Sequence, residues 1–265
     1  MATRILKIFL RLLAATIVVA LALILASRFI PLHVYDGFES PHLNRLYWLD
    51  CRFEPGAVVS EERVVRSGRR ALAITVHSGD RPEAASDQGV ATERDEIMEA
   101  WWLFSRAGRS YVYSFSLFLP TNLPQTSERL VIAQWKELCE SSSCVPDNPV
   151  LALRYESGRL EVTRNDEAGK RLLYQGTEDV RGKWLDFRFI TRWDSTTKGM
   201  VEATLDGRGI LSYRGPTLYQ PGHGHPRRAL IYFKTGLYRD ALHESPWTMY
   251  VDEYRKDQCS ASGCQ

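Results

Sequence analysis

Short segments in which apolar and polar residues alternate with period two most constrain how this chain can fold. Side chains alternate across a strand, so such segments predict strands of a sheet. Many are rich in Tyr, Phe, Trp and Val, and turn signals such as Asp206-Gly207 separate them. Beyond residue 30 there is hardly any helical periodicity. The predicted strands cover 72–76, 111–119, 130–135, 150–155, 160–164, 184–193, 201–205, 231–238 and 249–254.

This strand pattern predicts an all-β fold, a concanavalin A-like β-jelly-roll sandwich preceded by one N-terminal hydrophobic helix. Residues 31–265 form a single domain in this interpretation, because no internal repeat and no Pro- or Ser-rich linker divides them. The longest polar loop, 78–92, is a candidate rim of a binding cleft.

Residues 1–30 read as a signal-anchor or a signal peptide. The stretch 12–27 is 16 residues long and uncharged, and Arg4, Lys7 and Arg11 precede it. A basic N-terminal flank stays in the cytoplasm, which sends residues 31–265 across the membrane. We expect an uncleaved inner-membrane anchor with the domain facing the periplasm or exterior. The alternative is a cleaved signal and a secreted domain.

The charge balance argues against nucleic acid as a partner. Four of the 34 Lys and Arg residues lie in residues 1–30, which contain no acid, and this leaves 30 against 32 Asp and Glu in the rest of the chain. A folded domain that binds nucleic acid is expected to keep a basic excess.

The five cysteines indicate an oxidising compartment. Cys139 and Cys144 frame a polar loop, as do Cys259 and Cys264, so two local disulfides are predicted. Cys51 is left over, and it could instead pair with Cys259 or Cys264 if the chain ends meet. A zinc site is not indicated, since there is no Cys-x-x-Cys pair.

Three segments, 94–97, 132–136 and 232–239, place charged or amide side chains at alternating positions of probable strands. A sheet face that carries Arg, Gln, Lys and Tyr suits an anionic sugar polymer. The residues predicted to share a face are Arg94 with Glu96, Gln134 with Lys136, and Lys234 with Gly236 and Tyr238.

On these motifs, the sequence between about residues 67 and 254 resembles the heparin-lyase and glucuronan-lyase-like polysaccharide lyases. It is more distantly similar to alginate lyases of the same jelly-roll architecture. The Tyr-Phe-Lys-x-Gly-x-Tyr signature at 232–238 is the most specific motif, and it follows the Arg-x-Glu strand at Arg94 and the Gln-Trp strand at Gln134 in the expected order.

The resemblance implies β-elimination on a uronic-acid-containing polysaccharide. Related lyases often carry a His two positions after the Gln, where this chain has Lys136. Tyr238 is therefore the candidate acid, and it is also a candidate for the base. Arg94 and Gln134 are expected to act on the substrate carboxylate. The predicted catalytic residues are Tyr238, Gln134, Arg94 and Lys234, and the predicted substrate-binding residues are Lys136, Arg239 and His225.

No cofactor is expected. Relatives of this fold sometimes bind calcium structurally, but no calcium loop of the EF-hand type is found in the sequence. Six tryptophans are expected to lie mostly in the core, and one that is exposed could stack on a sugar ring. They are Trp101, Trp102, Trp135, Trp184, Trp193 and Trp247.

Two other functions stay open. One is a non-catalytic carbohydrate-binding domain that has lost the usual base. The other is a glycoside hydrolase, which needs two carboxyl groups, whereas Glu96 is the only obvious acid in the motif strands. Arg94 and Glu96 could also form a purely structural ion pair, and His77 is a further candidate base.

Overall fold

The computed structural model describes residues 13, 15–18, 32–50, 52–81, 92–126, 128–139, 144, 148–241, 244–260 and 263–264. The chain divides into two units, 1–32 and 33–265. In the first unit, residues 13 and 15–18 are helical, and most of the predicted anchor lies outside the described residues. Among the helices that are described, none has the length and apolar character needed to cross a membrane. Cys51 and most of the predicted rim loop also lie outside the described residues.

The second unit is built from strands, as the alternating sequence pattern predicts. A short 3-10 helix, Trp101–Leu103, interrupts them. In chain order the strands are β1 (His33–Asp36), β2 (Trp48–Leu49), β3 (Val58–Glu61), β4 (Ala71–Val76), β5 (Thr92–Glu99), β6 (Ser105–Arg106), β7 (Ser110–Phe118), β8 (Leu130–Glu137), β9 (Leu151–Glu156), β10 (Arg159–Asp166), β11 (Gly169–Gln175), β12 (Trp184–Arg192), β13 (Met200–Leu205), β14 (Arg208–Arg214), β15 (Leu230–Asp240) and β16 (Trp247–Gln258).

The strands form two antiparallel sheets. Sheet A has the order β14-β13-β12-β7-β16-β4-β3, with β1 paired to β16. Sheet B has the order β11-β10-β9-β8-β15-β5-β2, with β6 paired to β15. Neighbours in both sheets are often distant in sequence, which is the connectivity of a jelly roll. The predicted all-β jelly-roll sandwich is therefore confirmed.

Aromatic side chains fill the space between the sheets. Trp135 of β8 and Phe233 of β15 are fully buried and pack against each other at 5.1 Å between ring centroids. Trp135 contacts Phe189 of sheet A at 4.8 Å, and Phe233 contacts Phe115 at 5.2 Å. These contacts define the inner face of sheet B. Its alternate residues must point away from sheet A.

A buried ion pair crosses this core. Lys256 of β16 donates to both carboxylate oxygens of Glu99 at 2.8 and 2.9 Å, and to the Leu103 carbonyl at 2.6 Å. Tyr254 also donates to Glu99. Burial lowers the pKa of Lys256, and the Glu99 carboxylate opposes this effect. The charged pair thereby ties the end of β5 and the 3-10 helix to sheet A.

Both predicted disulfides are confirmed. Cys139 is bonded to Cys144 and Cys259 to Cys264, each at a sequence separation of 5. Each bond closes a short polar loop, so the two bonds act locally and neither one links the two sheets.

We predict that Glu99→Gln destabilises the fold by about 3–5 kcal/mol, because it leaves the buried Lys256 ammonium without its counter-charge. Urea unfolding measures the change. The double variant Glu99→Met with Lys256→Met should recover most of the loss, since it removes both charges. Glu202→Gln, which breaks the exposed pair with Arg214, is the control and should change stability by about 1 kcal/mol or less. Equal effects of Glu99→Gln and Glu202→Gln would contradict the prediction.

Candidate active site

The face of sheet B that points away from sheet A carries the charged residues of the three motifs. Arg94 of β5 lies opposite Tyr238 of β15, and Lys234 lies opposite Gln134 of β8. Directly opposite residues in paired strands share a face, so the structure brings these side chains together. We call this surface the charged face, and it comprises Arg94, Glu96, Gln134, Lys136, Lys234 and Tyr238.

Gly236 shapes the middle of the charged face. It lies opposite Glu96 and has φ of +144°, in the region that favours glycine. A Cβ at this position would lie 2.2 Å from the Asp95 carbonyl oxygen, so no larger residue fits without moving β5. Gly236 therefore adds no side chain to this strand face between Lys234 and Tyr238.

The Glu96 carboxylate is the centre of the polar contacts on this face. Lys234 Nζ donates to one of its oxygens at 2.9 Å, and Gln134 Nε2 donates to the other at 2.5 Å. All three side chains are almost completely buried. Gln134, which was predicted to act on a substrate carboxylate, thus already holds a carboxylate of the protein together with Lys234.

Burial and charge oppose each other in this cluster. Burial alone would raise the pKa of Glu96, but Lys234, Arg94 and the Gln134 amide outweigh it and hold the pKa below its usual value. The pKa of Lys234 is lowered to about 8, mainly by burial and also by the nearby cations Arg94 and Lys136, while Glu96 opposes the fall. The ammonium is therefore easily discharged just above neutral pH.

Tyr238 is surrounded by cations. The Arg94 guanidinium carbon stacks 4.1 Å from its ring centroid. On the other side, Arg129 Nη1 donates to the Tyr238 hydroxyl at 2.7 Å. Arg154 is close enough to interact electrostatically with Tyr238, and burial lowers the pKa of Arg154. A guanidinium that touches the hydroxyl oxygen stabilises that oxygen when it carries negative charge.

Arg129 and Arg154 were not predicted from the sequence. Arg129 lies just before β8, and Arg154 lies near the end of β9, which carries none of the three motifs. Arg154 lies opposite Val131, and Val131 lies opposite Tyr238. The sequence gives only a weak indication that Arg154 and Tyr238 are close. This relation depends on a bulge in β8 that no local pattern predicts.

The structure corrects the role predicted for Arg239. The sequence analysis placed it among the substrate-binding residues, but it is fully buried on the inner face of sheet B. Its guanidinium pairs with Glu93 at 2.8 Å and stacks over Trp247 at 4.6 Å. The physical reason is strand alternation: Tyr238 faces outward, so its neighbour Arg239 faces inward.

The structure also corrects the role predicted for His225. The loop was expected to present it to substrate, but it is buried, with Nδ1 2.9 Å from a Glu137 carboxylate oxygen and its ring 4.4 Å from Tyr219. Glu137 follows Lys136 in β8 and lies opposite Ile231, so it belongs to the inner side. His225 therefore stabilises the loop that carries it and does not join the charged face. Lys136 does lie on this face, opposite Tyr232 and partly exposed.

Comparison with known proteins decides the family. A family model described as polysaccharide lyase matches residues 33–255, which is most of the chain. This chain belongs to the polysaccharide lyase family. No curated protein matches the sequence.

Solved structures show the same fold at low identity. An endo-β-1,4-glucuronan lyase from the fungus Trichoderma reesei is 16% identical, with a TM-score of 0.65 over 84% of this chain and 94% of its own. The cellulose induced protein Cip1 is 16% identical, with a TM-score of 0.55 over 88% and 100% of the two chains. The alginate lyase AlgAT5 from polysaccharide lyase family 7 is 14% identical, with a TM-score of 0.52 over 78% and 84%.

Two tryptophans of this lyase-family domain are exposed. Trp101 and Trp102, in the 3-10 helix after β5, are 69% and 47% exposed, and their rings meet edge to face at 5.3 Å. The expectation of core positions is confirmed for Trp135, Trp193 and Trp247, and it is wrong for Trp101 and Trp102. Among the described residues, no group of three or more His, Cys, Asp or Glu side chains is placed to hold a metal ion.

Asp95 lies in β5 between two residues of the charged face, but it points inward and is fully buried. One of its oxygens accepts the Glu54 backbone N–H at 2.7 Å. Burial raises the pKa of Asp95 to about 8, and the nearby carboxylates of Asp80 and Glu54 contribute to the rise. With a pKa of about 8, Asp95 is mostly protonated at neutral pH.

We predict that Asp95→Asn removes a pH dependence of stability. The folded-state pKa of about 8 lies above the ordinary 3.8, so the stabilisation by the proton is complete below about pH 4 and is lost as pH rises through 8. Relative to the Asn variant, the wild type should lose up to about 1.4 kcal/mol per pH unit in this window.

Urea unfolding at about pH 5 and pH 8 measures the difference. Asp179→Asn is the control, because Arg181 holds the pKa of Asp179 at about 2 and its contribution is constant over the same window. If wild type and Asp95→Asn lost stability in parallel between the two pH values, Asp95 would be ionised in the folded state and the prediction would be wrong.

Proposed function

We propose that this polysaccharide lyase cleaves a uronic-acid-containing polymer by β-elimination on the charged face. The observation that carries the proposal is the position of Tyr238. Its hydroxyl accepts a hydrogen bond from Arg129. Lys234 lies on the same strand face, and Lys234 and Gln134 both donate to the Glu96 carboxylate. Groups that bind a carboxylate thus lie beside a group that transfers protons.

Elimination requires both of these groups. The proton on C5 of a uronate becomes acidic only when the adjacent carboxylate is neutralised, because its loss places a second negative charge on that carboxylate. In this proposal, Arg94, Gln134 and Lys234 stabilise the developing charge. The C4–O bond then breaks, a C4–C5 double bond forms, and no water is consumed.

Tyr238 acts as both base and acid. Its phenolate takes the C5 proton, and the resulting hydroxyl gives this proton to the leaving O4 oxygen, which regenerates the phenolate. One hydroxyl can do this only if H5 and O4 lie on the same side of the sugar ring. That holds for D-glucuronate and D-mannuronate, and it fails for L-guluronate and L-iduronate.

We further propose that the domain works outside the cytoplasm, tethered to the inner membrane or secreted. Disulfides persist mainly in oxidising compartments, and the domain has two. The basic residues before the apolar stretch 12–27 favour export of everything that follows. An acidic polysaccharide outside the cell is then the accessible substrate, and no cofactor takes part in the reaction.

A carbohydrate-binding domain without catalysis is the second candidate function. Lys136 stands where related lyases often carry His, and a cationic face could hold an acidic polymer without cleaving it. The two functions differ in one observable, because only elimination creates a conjugated double bond that absorbs ultraviolet light.

We predict that Tyr238→Phe lowers the rate of unsaturated product formation by about 10²–10⁴-fold while polymer binding persists, since only the hydroxyl is lost. Absorbance follows the product, and calorimetry follows binding. Tyr35→Phe is the matched control, because it removes a hydroxyl that bonds Glu253 beside sheet A. Substantial activity in Tyr238→Phe would contradict the assignment and make His77, in the loop that contacts β5, the next candidate.

We predict that glucuronan and mannuronan yield unsaturated product and that guluronan does not. Binding of each polymer is measured in parallel, so that a lack of product is not confused with a lack of affinity. If guluronan were cleaved as fast as the other two, a second base would have to act from the opposite side of the sugar. Lys136 would then be the first residue to replace.

A further inference from the structure

Arg129 is fixed at both ends of its side chain. Its Nη1 donates to the Tyr238 hydroxyl at 2.7 Å. Its Nε lies 3.3 Å from one carboxylate oxygen of Asp240, and its backbone N–H donates to the other oxygen at 3.1 Å. Asp240 is two residues after Tyr238 on β15, so a single strand sets the positions of both groups that Arg129 contacts.

A guanidinium donates hydrogen bonds and never accepts them. The Tyr238 oxygen is therefore always the acceptor in its contact with Arg129, and its own proton, when present, must point elsewhere. The same contact becomes a charge-assisted hydrogen bond when the oxygen is a phenolate, which makes it stronger and shorter. Arg129 thus favours the ionised form of Tyr238 and aims the hydroxyl proton away from itself.

We propose that Arg129 is the positioning residue that acts as the counter-ion of the Tyr238 phenolate. This inference rests on the proposed function, in which the phenolate starts and ends each turnover. When Tyr238 takes the C5 proton, the electron pair of the C5–H bond forms the C4–C5 double bond and the C4–O4 bond breaks. The proton then passes from Tyr238 to O4, and Arg129 again faces a phenolate.

The other charged groups around Tyr238 act in different ways. Arg94 lies over the ring face, with its guanidinium carbon 4.1 Å from the centroid. Lys234 donates to Glu96, and Arg154 donates to Thr163 at 3.0 Å. Asp240 is an acidic residue near Tyr238, and its carboxylate oxygen lies 3.3 Å from Arg129 Nε. The guanidinium that donates to the Tyr238 hydroxyl oxygen is that of Arg129.

The test compares Arg129→Gln and Arg129→Lys with the wild-type full chain. Arg70→Gln is the matched control: the Arg70 side chain is 30% exposed against 33% for Arg129, and it pairs with Glu62 beside sheet A. The ultraviolet difference between each protein and its Tyr238→Phe counterpart isolates the ionisation of Tyr238. The rate of unsaturated product formation is measured over the same pH range.

We expect the midpoint of the Tyr238 titration in Arg129→Gln to move up by about one pH unit, which is a tenfold change in ionisation. The rising limb of the pH–rate profile should move by the same amount. Arg129→Lys keeps the charge but loses the planar guanidinium, so it should move the titration midpoint and the pH–rate profile by less. Arg70→Gln should leave the midpoint and the profile unchanged. A purely structural role of Arg129 would lower the melting temperature without moving either midpoint.

An unmoved titration in Arg129→Gln, or an equal shift in Arg70→Gln, would overturn the inference. If Arg129→Gln fails to fold, Arg129→Lys provides the titration, and an unmoved midpoint there would also overturn it. Failure of the proposed function gives a different pattern. A shifted titration in a protein that never makes unsaturated product would support the role of Arg129 and refute lyase activity.

Discussion

The contact between the Glu96 carboxylate and its two donors is the interaction on which the charged face depends. Lys234 and Arg94 lie close together at sites that exclude water, and like charges in such a place repel each other and lose hydration. Glu96 offsets both effects, and it also holds the Gln134 amide. A buried carboxylate thus allows the domain to collect the cations that an acidic polymer needs. Gly236 adds no side chain to this cluster and lets β5 and β15 approach each other closely at Glu96.

Strand alternation separates two ionic systems in sheet B. On the outer side, Lys234 pairs with Glu96, and on the inner side, Arg239 pairs with Glu93. A slip of one residue in β15 would exchange the two faces and place each cation opposite the wrong partner. The inner pairs, including Lys256 with Glu99, therefore penalise wrong registers as well as contributing to the core. Correct register is what brings Tyr238 next to Arg94.

Much of this arrangement follows from the sequence, since period-two alternation predicts the major strands and the shared face of Lys234, Gly236 and Tyr238. Where prediction fails, the missing information is long-range. Arg239 was expected to face substrate, although alternation alone would have turned it inward. The partner that holds its charge in the core, Glu93, is 146 residues away, and no local pattern indicates this contact. For the same reason, the Arg129 contact with Tyr238, 109 residues apart, has no local signature.

The central claim is that the charged face performs elimination, and digestion of glucuronan in ¹⁸O-labelled water tests it most directly. Elimination consumes no water, so we predict unsaturated fragments that contain no solvent oxygen and weigh one water less than hydrolysis products. Fragments that carry the label at their new reducing ends would show hydrolysis and contradict the claim. Bound but uncleaved polymer would contradict it as well, and would leave a carbohydrate-binding domain.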